Sequence, residues 1–376
     1  MDFSFSEQEK MLQRSAREFA QSRVKPQAGE IDRSAKFPLE LAKEMGSLGY
    51  YSLPFPPEHG GSGAGYTGLA LVVEQICQAS LAVGAIAALG ASIGGTLLQF
   101  GNEEQKRRFL IPLINGDMFC CWAFTEPATG SNPKAIATQA VLQGDDYLIS
   151  GEKSFISFAP VASLAIVFAK DETGRVSAFL VDTSFPGFTV GEPHDFMGAR
   201  GLGSSPLYLS EIRVPKESLL GEKGKGYHLL LEGASMERLS VAIACLGVAQ
   251  AAIDLSIDYA KQRTAYDQAI AQMPTIQWLL AEMASRLEAS RWLVYRTAFL
   301  RDQGKSIQWE TAVAKLFASQ MAVDVTRMAM QIHGAYGTEK TLPVERLYRD
   351  AKMTEIIVGV SEIQRVIIAA QLLWPR

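Results

Sequence analysis

The chain has 376 residues, of which 48% are hydrophobic and 20% are charged, and its formal net charge is −4. This length allows two or three domains, and the composition is that of a globular protein rather than a disordered one. The slightly acidic balance argues against a nucleic-acid-binding surface.

Cysteines and histidines are few and scattered. The adjacent pair Cys120–Cys121 stands in a hydrophobic run, and no CxxC motif occurs, which predicts core cysteines and a reducing compartment. The four histidines are far apart, which argues against a His-based metal site. We see no signal-peptide core and no run of ~18 uninterrupted apolar residues, so we expect a cytoplasmic protein without a membrane span.

The first third of the chain carries helical patterns. Ser6 and Glu9 fit a capping box, and apolar residues at helical spacing follow them. A loop rich in Gly and Pro, 53–65, separates these residues from a second helical pattern over 66–100. Within that pattern, the Ala- and Gly-rich run 81–95 predicts a tightly packed buried helix.

The character of the sequence changes near residue 119, where short strand-like runs separated by turns begin. "LAIVFAK" and "VSAFLVD" flank "DETG", which predicts a hairpin. No GxGxxG follows a strand and no P-loop motif occurs, so Rossmann and Walker folds lack support. After about residue 226 the chain returns to long helical patterns. These are interrupted by "IIVGV" (356–360), where Val-Gly-Val is poor helix material.

Two segments contain candidate functional groups. Glu237, in "SMERLSVAIACLG", could be a capping partner in the first turn of a helix or a general base beside an apolar pocket. The loop 121–133, "CWAFTEPATGSNP", could connect strands or could cradle a cofactor or phosphate with its backbone N–H groups. The residues alone leave both pairs of alternatives open.

Taken together and in order, the motifs of this chain resemble those of the acyl-CoA dehydrogenase family along nearly its whole length. The matching motifs are "PPEHGGSG", "FTEPATGS", "GEKSFIS", "MGARG", "IRVPKESLLGEKGKGY", "ERLSVAIACLGVAQAAIDLSIDYAKQR", "QIHGAYG" and "YRDAK…SEIQR".

The resemblance implies an α+β fold with an N-terminal helical domain (1–118), a middle β-barrel or sandwich domain (119–225) and a C-terminal four-helix bundle (226–376). It also implies a homotetramer that binds FAD and an acyl-CoA thioester. In this family a carboxylate removes the α-proton and a hydride leaves the β-carbon for the flavin. An electron-transfer flavoprotein is the expected acceptor of the electrons.

The family's cofactor contacts can be carried over to matching positions, with some departures. Phe155 and Ser157 replace the usual Trp and Thr beside the flavin, and Tyr266 replaces a Phe. Asn132, Pro274 and Val360 also differ from the residues that are common there. The positions that the resemblance assigns to the cofactor are Trp122, Phe124, Thr125, Phe155, Ser157, Arg263, Tyr266, Gln331, Gly334, Ser361 and Glu362.

The main departure concerns the catalytic base. Many relatives have "YEGT" after "RDAK", but this chain has "IVGV", and Val358 cannot take a proton. The isovaleryl-CoA and long-chain branch instead places the glutamate in an "ERL" context, which Glu237 matches. The resemblance therefore implies Glu237 as the base, while Val358 keeps a backbone N–H for the thioester oxygen.

Substrate contacts are expected from Ser131 and Arg238, with Ala88 and Ala91 on the pocket wall. We expect a short, branched or cyclic acyl group. Three alternatives remain open: a dehydrogenase of a thioester bound to an acyl-carrier protein, a flavin-dependent monooxygenase, and a non-catalytic flavoprotein.

Overall fold

The computed structural model describes residues 4–374 and confirms the predicted order of helices, then strands, then helices. The helices before the sheet are α1 (Glu7–Phe19), α2 (Ala28–Ser34), α3 (Leu39–Ser47), α4 (Gly65–Ala79), α5 (Leu81–Phe100), α6 (Glu103–Gln105) and α7 (Ile111–Asn115). The predicted capping box is present: the Ser6 hydroxyl accepts from the Glu9 N–H, and the Glu9 carboxylate accepts from the Ser6 N–H at 2.7 Å.

The strands of the middle region form one connected sheet. They are β1 (Cys120–Ala123), β2 (Gln139–Gln143), β3 (Asp146–Ile156), β4 (Leu164–Lys170), β5 (Val176–Asp182), β6 (Phe188–Val190), β7 (Ser205–Pro215) and β8 (Leu219–Leu220). The path runs β6-β7-β3-β2-β4-β5-β8, and β1 lies parallel to β4. Strands β4 and β5 are the predicted hairpin around "DETG", and Cys120 and Cys121 are buried as expected.

Long helices follow the sheet: α8 (Gly226–Gln262), α9 (Pro274–Asp302), α10 (Gln308–His333), α11 (Pro343–Ile356) and α12 (Ser361–Leu373). A two-stranded hairpin, β9 (Thr264–Ala265) and β10 (Gln268–Ala269), joins α8 to α9. Helix α8 packs against α4, α5, α9, α10 and α11, so it passes through the centre of the molecule.

Helices α5 and α8 are also long and apolar enough to cross a membrane by length and composition, and the bent pair α11–α12 could count as a third span. Neither helix contains ~18 uninterrupted apolar residues, because polar residues such as Ser92 and Ser240 interrupt them, so the criterion of an unbroken run did not identify either helix. In both helices 78% of the apolar window is buried inside the fold. Their apolar composition is thus accounted for by core packing.

Side chains of α11 join all three regions of the chain. The Arg349 guanidinium donates to the Asp32 carboxylate at 2.7 Å and to the Met197 carbonyl at 2.7 Å. The next residue, Asp350, is buried and accepts from the Ala199 N–H at 2.7 Å. These contacts fix α11, and with it the interruption at 356–360, relative to the sheet and the N-terminal helices.

Candidate active site

Glu237 lies well inside α8, eleven residues after the helix begins at Gly226. This position rules out the reading of Glu237 as an N-terminal cap or a partner of the helix dipole, because that effect is confined to the first turn. Within residues 4–374 its carboxyl makes no hydrogen bond or ion pair. Burial raises the pKa of Glu237 to about 7, although the neighbouring Arg238 guanidinium acts in the opposite direction.

Arg238, the next residue, is a buried cation with incomplete hydrogen bonding. Its side chain is 5% exposed, and its Nε and Nη1 atoms have no partner within the described chain. Burial lowers the pKa of Arg238, and the nearby Glu237 carboxylate partly offsets this. Buried polar groups are normally hydrogen-bonded, so these two unsatisfied donors are an uncommon feature next to Glu237.

The helix face that carries Glu237 is packed against aromatic and small residues. Gly233 precedes Glu237 by one turn on the same face, and a Cβ atom there would lie 2.4 Å from the Trp122 indole and 3.1 Å from the Thr96 hydroxyl. The Trp122 ring in turn packs on Phe168, with centroids 4.9 Å apart. Trp122, from the predicted functional loop, is therefore brought to the helix face of the candidate base.

The interruption in the C-terminal helices is a tight turn between α11 and α12. Val358 has a φ of 55° and Gly359 a φ of 87°. A β-branched residue in the left-handed region is strained, and such strain concentrates at functional sites. The Val358 N–H makes no hydrogen bond among residues 4–374, so it is free to donate to a ligand.

Phe155, at the end of β3, is a strained and exposed aromatic residue. Its φ is 60° and its side chain is 56% exposed. On one side the ring packs against His194, with centroids 4.7 Å apart, and Phe196 lies beyond. Ser157 is partly exposed two residues later. An aromatic ring supported on one side and open on the other fits the stacking of a planar ring system.

The loop after β1 is anchored beneath this aromatic group by a buried ion pair that the sequence analysis missed. The Lys153 ammonium donates to Glu126 at 2.8 Å and to the Phe168 carbonyl at 2.6 Å, and both charged side chains are buried. The Ser154 N–H donates to the Thr125 carbonyl at 2.8 Å. Thr125 is thereby held next to Phe155. Lys153 stands within a strand pattern in the sequence, and this was the feature that could have indicated a buried ion pair.

Models of three consecutive domains of one family match the chain. The N-terminal domain of the acyl-CoA dehydrogenases matches residues 6–117, the middle domain 121–212 and the C-terminal domain 224–373. This chain belongs to the acyl-CoA dehydrogenase family. It is therefore an oxidoreductase, and the cofactor of its family is FAD.

Individual members of the family are similar over almost the full chain. A 3-(aryl)acrylate reductase of Clostridium sporogenes is 38% identical over 374 residues, 98% of this chain and 99% of the relative. The mitochondrial short-chain specific acyl-CoA dehydrogenase of Bos taurus is 39% identical over 372 residues, 98% and 90% of the two chains. The solved butyryl-CoA dehydrogenase of Megasphaera elsdenii has a TM-score of 0.97 at 33% identity, covering 99% and 100%.

Other family positions lie on the exposed surface of the C-terminal helices. Arg263 is exposed, and Tyr266 at the tip of the β9–β10 hairpin is 91% exposed. Tyr259, one turn before Arg263, stacks on His333 with ring centroids 4.4 Å apart, which brings the hairpin close to Gly334. Gln331, Gly334 and Glu362 are exposed, while Ser361 is nearly buried at the start of α12.

A cavity of about 350 Å³ lies beside Gln331 on the outer face of α9 and α10. It is lined by Trp278, Leu279, Glu282, Arg286, Asp324, Arg327, Met328 and Gln331, none of which belongs to the Glu237 site. Across residues 4–374, no cluster of three or more His, Cys, Asp or Glu side chains could hold a metal.

The remaining substrate positions, Ser131, Ala88 and Ala91, differ in their exposure. Ser131 is exposed on the loop after β1. Ala88 and Ala91 are fully buried, with at most 1% of their surface exposed. The Ala88 carbonyl accepts a hydrogen bond from the Ser240 hydroxyl at 3.1 Å. On the same helix, Ala85, Leu89 and Gly90 have partly exposed surface. The role of Ala88 and Ala91 as a pocket wall stays a prediction.

Proposed function

We propose that Glu237 is the base in the FAD-dependent dehydrogenation of an acyl-CoA thioester, the reaction of this family. The observation that supports the assignment most strongly is the unpaired carboxyl of Glu237, whose pKa is raised to about 7. A base titrating near neutral pH combines a useful ionised fraction with a strong driving force for proton transfer. Val358, at the position of the usual glutamate, cannot replace it.

The α-proton of a thioester is too weakly acidic for a carboxylate alone. The negative charge that develops on the thioester oxygen needs a donor that is already oriented. We assign this donor to the free N–H of Val358. The buried Arg238, with its unpartnered N–H groups, contributes positive charge beside Glu237 and a contact for the substrate. Ser131 on the loop after β1 contributes a second contact for the substrate.

FAD, when bound, would supply the acceptor for the hydride that leaves the β-carbon. Phe155 stacks its open face on the flavin, with Trp122, Phe124, Thr125 and Ser157 around the ring. The remainder of the dinucleotide would be held by the exposed Arg263, Tyr266, Gln331, Gly334 and Glu362 together with the buried Ser361, partly across a subunit boundary of a homotetramer. An electron-transfer flavoprotein then reoxidises the enzyme.

The substrate is a short, branched or cyclic acyl-CoA, and a cytoplasmic location remains our prediction. One relative is named as a 3-(aryl)acrylate reductase, a name that describes reduction of a carbon–carbon double bond rather than its formation. If this chain runs in that direction, Glu237 returns the proton to the α-carbon by microscopic reversibility.

The test is an anaerobic titration of the FAD-loaded enzyme with a panel of linear, branched and cyclic acyl-CoA esters, and with the same acyl groups on a carrier protein. We expect the flavin absorbance to bleach with at least one short, branched or cyclic CoA ester. Bleaching only by carrier-bound thioesters would transfer the assignment to the carrier-protein alternative. Bleaching by none would contradict the proposed reaction.

A further inference from the structure

Lys315 on α10 is a fully buried lysine that holds the turn containing Val358. Its ammonium donates to the Glu355 carbonyl at 3.2 Å and to the Gly359 carbonyl at 2.9 Å. These two main-chain acceptors lie on either side of Val358. The lysine therefore joins the last turn of α11 to the segment that precedes α12.

The buried charge of Lys315 is not explained by an ion pair. No carboxylate pairs with it within the part of the chain that the structure describes, and the Glu355 carboxylate is bound by Lys352 at 2.6 Å. Burying an ammonium without a counter-ion is costly. The two carbonyl contacts are the interactions that compensate for this cost, so the turn and the lysine constrain each other.

Gln364 on α12 adds a second contact with the same turn. Its side-chain amide donates to the Gly359 carbonyl at 2.8 Å. A strained left-handed conformation such as that of Val358 persists when surrounding contacts hold the backbone in place, and Lys315 and Gln364 supply such contacts here. With the Gly359 carbonyl held by two donors, the Val358 N–H stays without an internal partner.

We propose that Lys315 is a positioning residue of the reaction, which holds the 355–361 turn so that the Val358 N–H is oriented toward the thioester oxygen. This inference rests on the proposed function. Oriented donors stabilise a developing oxyanion because no reorganisation is needed when the charge forms.

The ionisation of Lys315 depends on groups from three neighbouring helices. Burial lowers the pKa of Lys315 to about 8; Cys245 (α8), Glu355 (α11) and Glu362 (α12) oppose this shift, and Arg238 (α8) adds to it. The ammonium form makes stronger hydrogen bonds to carbonyls than the amine does. The contacts of Lys315 with the turn thus weaken as the pH rises above about 8.

The test compares Lys315→Met and Gln364→Met with Lys305→Met, which removes an exposed lysine that precedes α10 and does not contact the 355–361 turn. Each FAD-loaded variant is mixed with acetoacetyl-CoA, whose α-proton is acidified by a second carbonyl, and the bound enolate is measured by absorbance. Steady-state kcat and KM are measured in parallel. The enolate readout reports oxyanion stabilisation without turnover.

For Lys315→Met we expect the enolate-to-keto ratio and kcat each to fall by ~10-fold to 100-fold, while KM changes by less than ~3-fold. This loss of kcat is smaller than the loss expected when an oxyanion donor itself is removed, because the Val358 N–H is still present. Gln364→Met should show a smaller loss in the same direction, and it decides the matter if Lys315→Met does not fold. Wild-type ratios in both variants, or an equal loss in Lys305→Met, would overturn the inference. Absence of enolate in the wild type would instead contradict the proposed function.

Discussion

Gly233 and Trp122 are in such close contact that a Cβ atom on the glycine would lie 2.4 Å from the indole ring. The contact joins the helix of Glu237 to the loop after β1. The indole cannot retreat freely, because its other side packs on Phe168. The relative position of the candidate base and this loop therefore depends on the absence of a side chain at Gly233.

Gly233→Ala is expected to displace Trp122 or helix α8. Overpacking of this kind costs ~1–3 kcal/mol of unfolding free energy, and we expect kcat to fall by at least ~10-fold because catalytic geometry is sensitive to small shifts. Denaturant unfolding and steady-state kinetics measure the two effects. Gly29→Ala on α2 is the control, since a Cβ there meets only the end of a flexible arginine at 3.4 Å. Wild-type kinetics in Gly233→Ala would show that the contact is unimportant.

The pH dependence of kcat/KM should follow the ionisation of Glu237. Because the base must be deprotonated, activity should rise with pH through about 7, the raised pKa of this carboxyl. A profile of kcat/KM between about pH 3.5 and 8.5 measures it. A rising limb centred near the ordinary value of 4.5 would show that the carboxyl is not desolvated in the free enzyme.

The same pKa predicts that Glu237→Gln stabilises the fold at high pH. The unfolded carboxyl titrates near 4.5 and the folded one near 7, so the stability contribution is complete below 4.5 and is lost as the pH rises through 7. At about pH 8 the glutamine variant should be more stable by on the order of 3 kcal/mol, and the difference should vanish near pH 4. Thermal unfolding at both pH values measures this; Glu232→Gln on the same helix should behave as the wild type.

Phe155→Gly separates backbone strain from cofactor stacking. Glycine adopts a φ of 60° without strain, while the variant loses the contact of the ring with His194. In the FAD-free protein we expect these two effects on the free energy of unfolding to cancel to within ~1 kcal/mol. The affinity for FAD should fall by ~10-fold, because an aromatic stacking contact is lost. Equilibrium FAD titration gives the affinity. Equal affinity in Phe155→Gly and the wild type would remove Phe155 from the cofactor site, and Tyr208→Gly, an exposed aromatic on β7, is the control.

Lys153→Met should be strongly destabilising. It leaves the Glu126 carboxylate buried without its cation, a change that typically costs ~3–5 kcal/mol. The double variant Glu126→Gln, Lys153→Met should recover part of that loss, because no unpaired charge is then buried. Urea denaturation of the single and double variants measures this. A double variant as unstable as Lys153→Met would show that packing, rather than charge, is responsible.

The sequence predicted those features that depend on local patterns. The capping box at Ser6, the "DETG" hairpin and the helix break at 356–360 each follow from neighbouring residue types. Ordered motifs supplied the family, and with it the proposal that Glu237 is the base. The local pattern alone left Glu237 ambiguous, because a capping role could be dismissed only once α8 was seen to begin at Gly226.

The features that the sequence did not predict depend on contacts between distant segments. Lys315 is 43 positions before Val358, and Glu126 is 27 positions before Lys153. Nothing in either neighbourhood indicates which carbonyl or carboxylate a buried lysine will meet. The length and composition of α5 and α8 likewise do not distinguish a central core helix from a membrane span, since both require a continuous apolar surface.

The rate of flavin reduction in Glu237→Gln under anaerobic conditions tests the assignment of the base most directly. The variant should bind FAD and an acyl-CoA substrate as the wild type does, yet reduce the flavin at least ~10³-fold more slowly, within the range for loss of a general base. Adding Val358→Glu should restore part of the rate by supplying a carboxylate at the turn. Reduction at the wild-type rate in Glu237→Gln would contradict the role of Glu237 as the base.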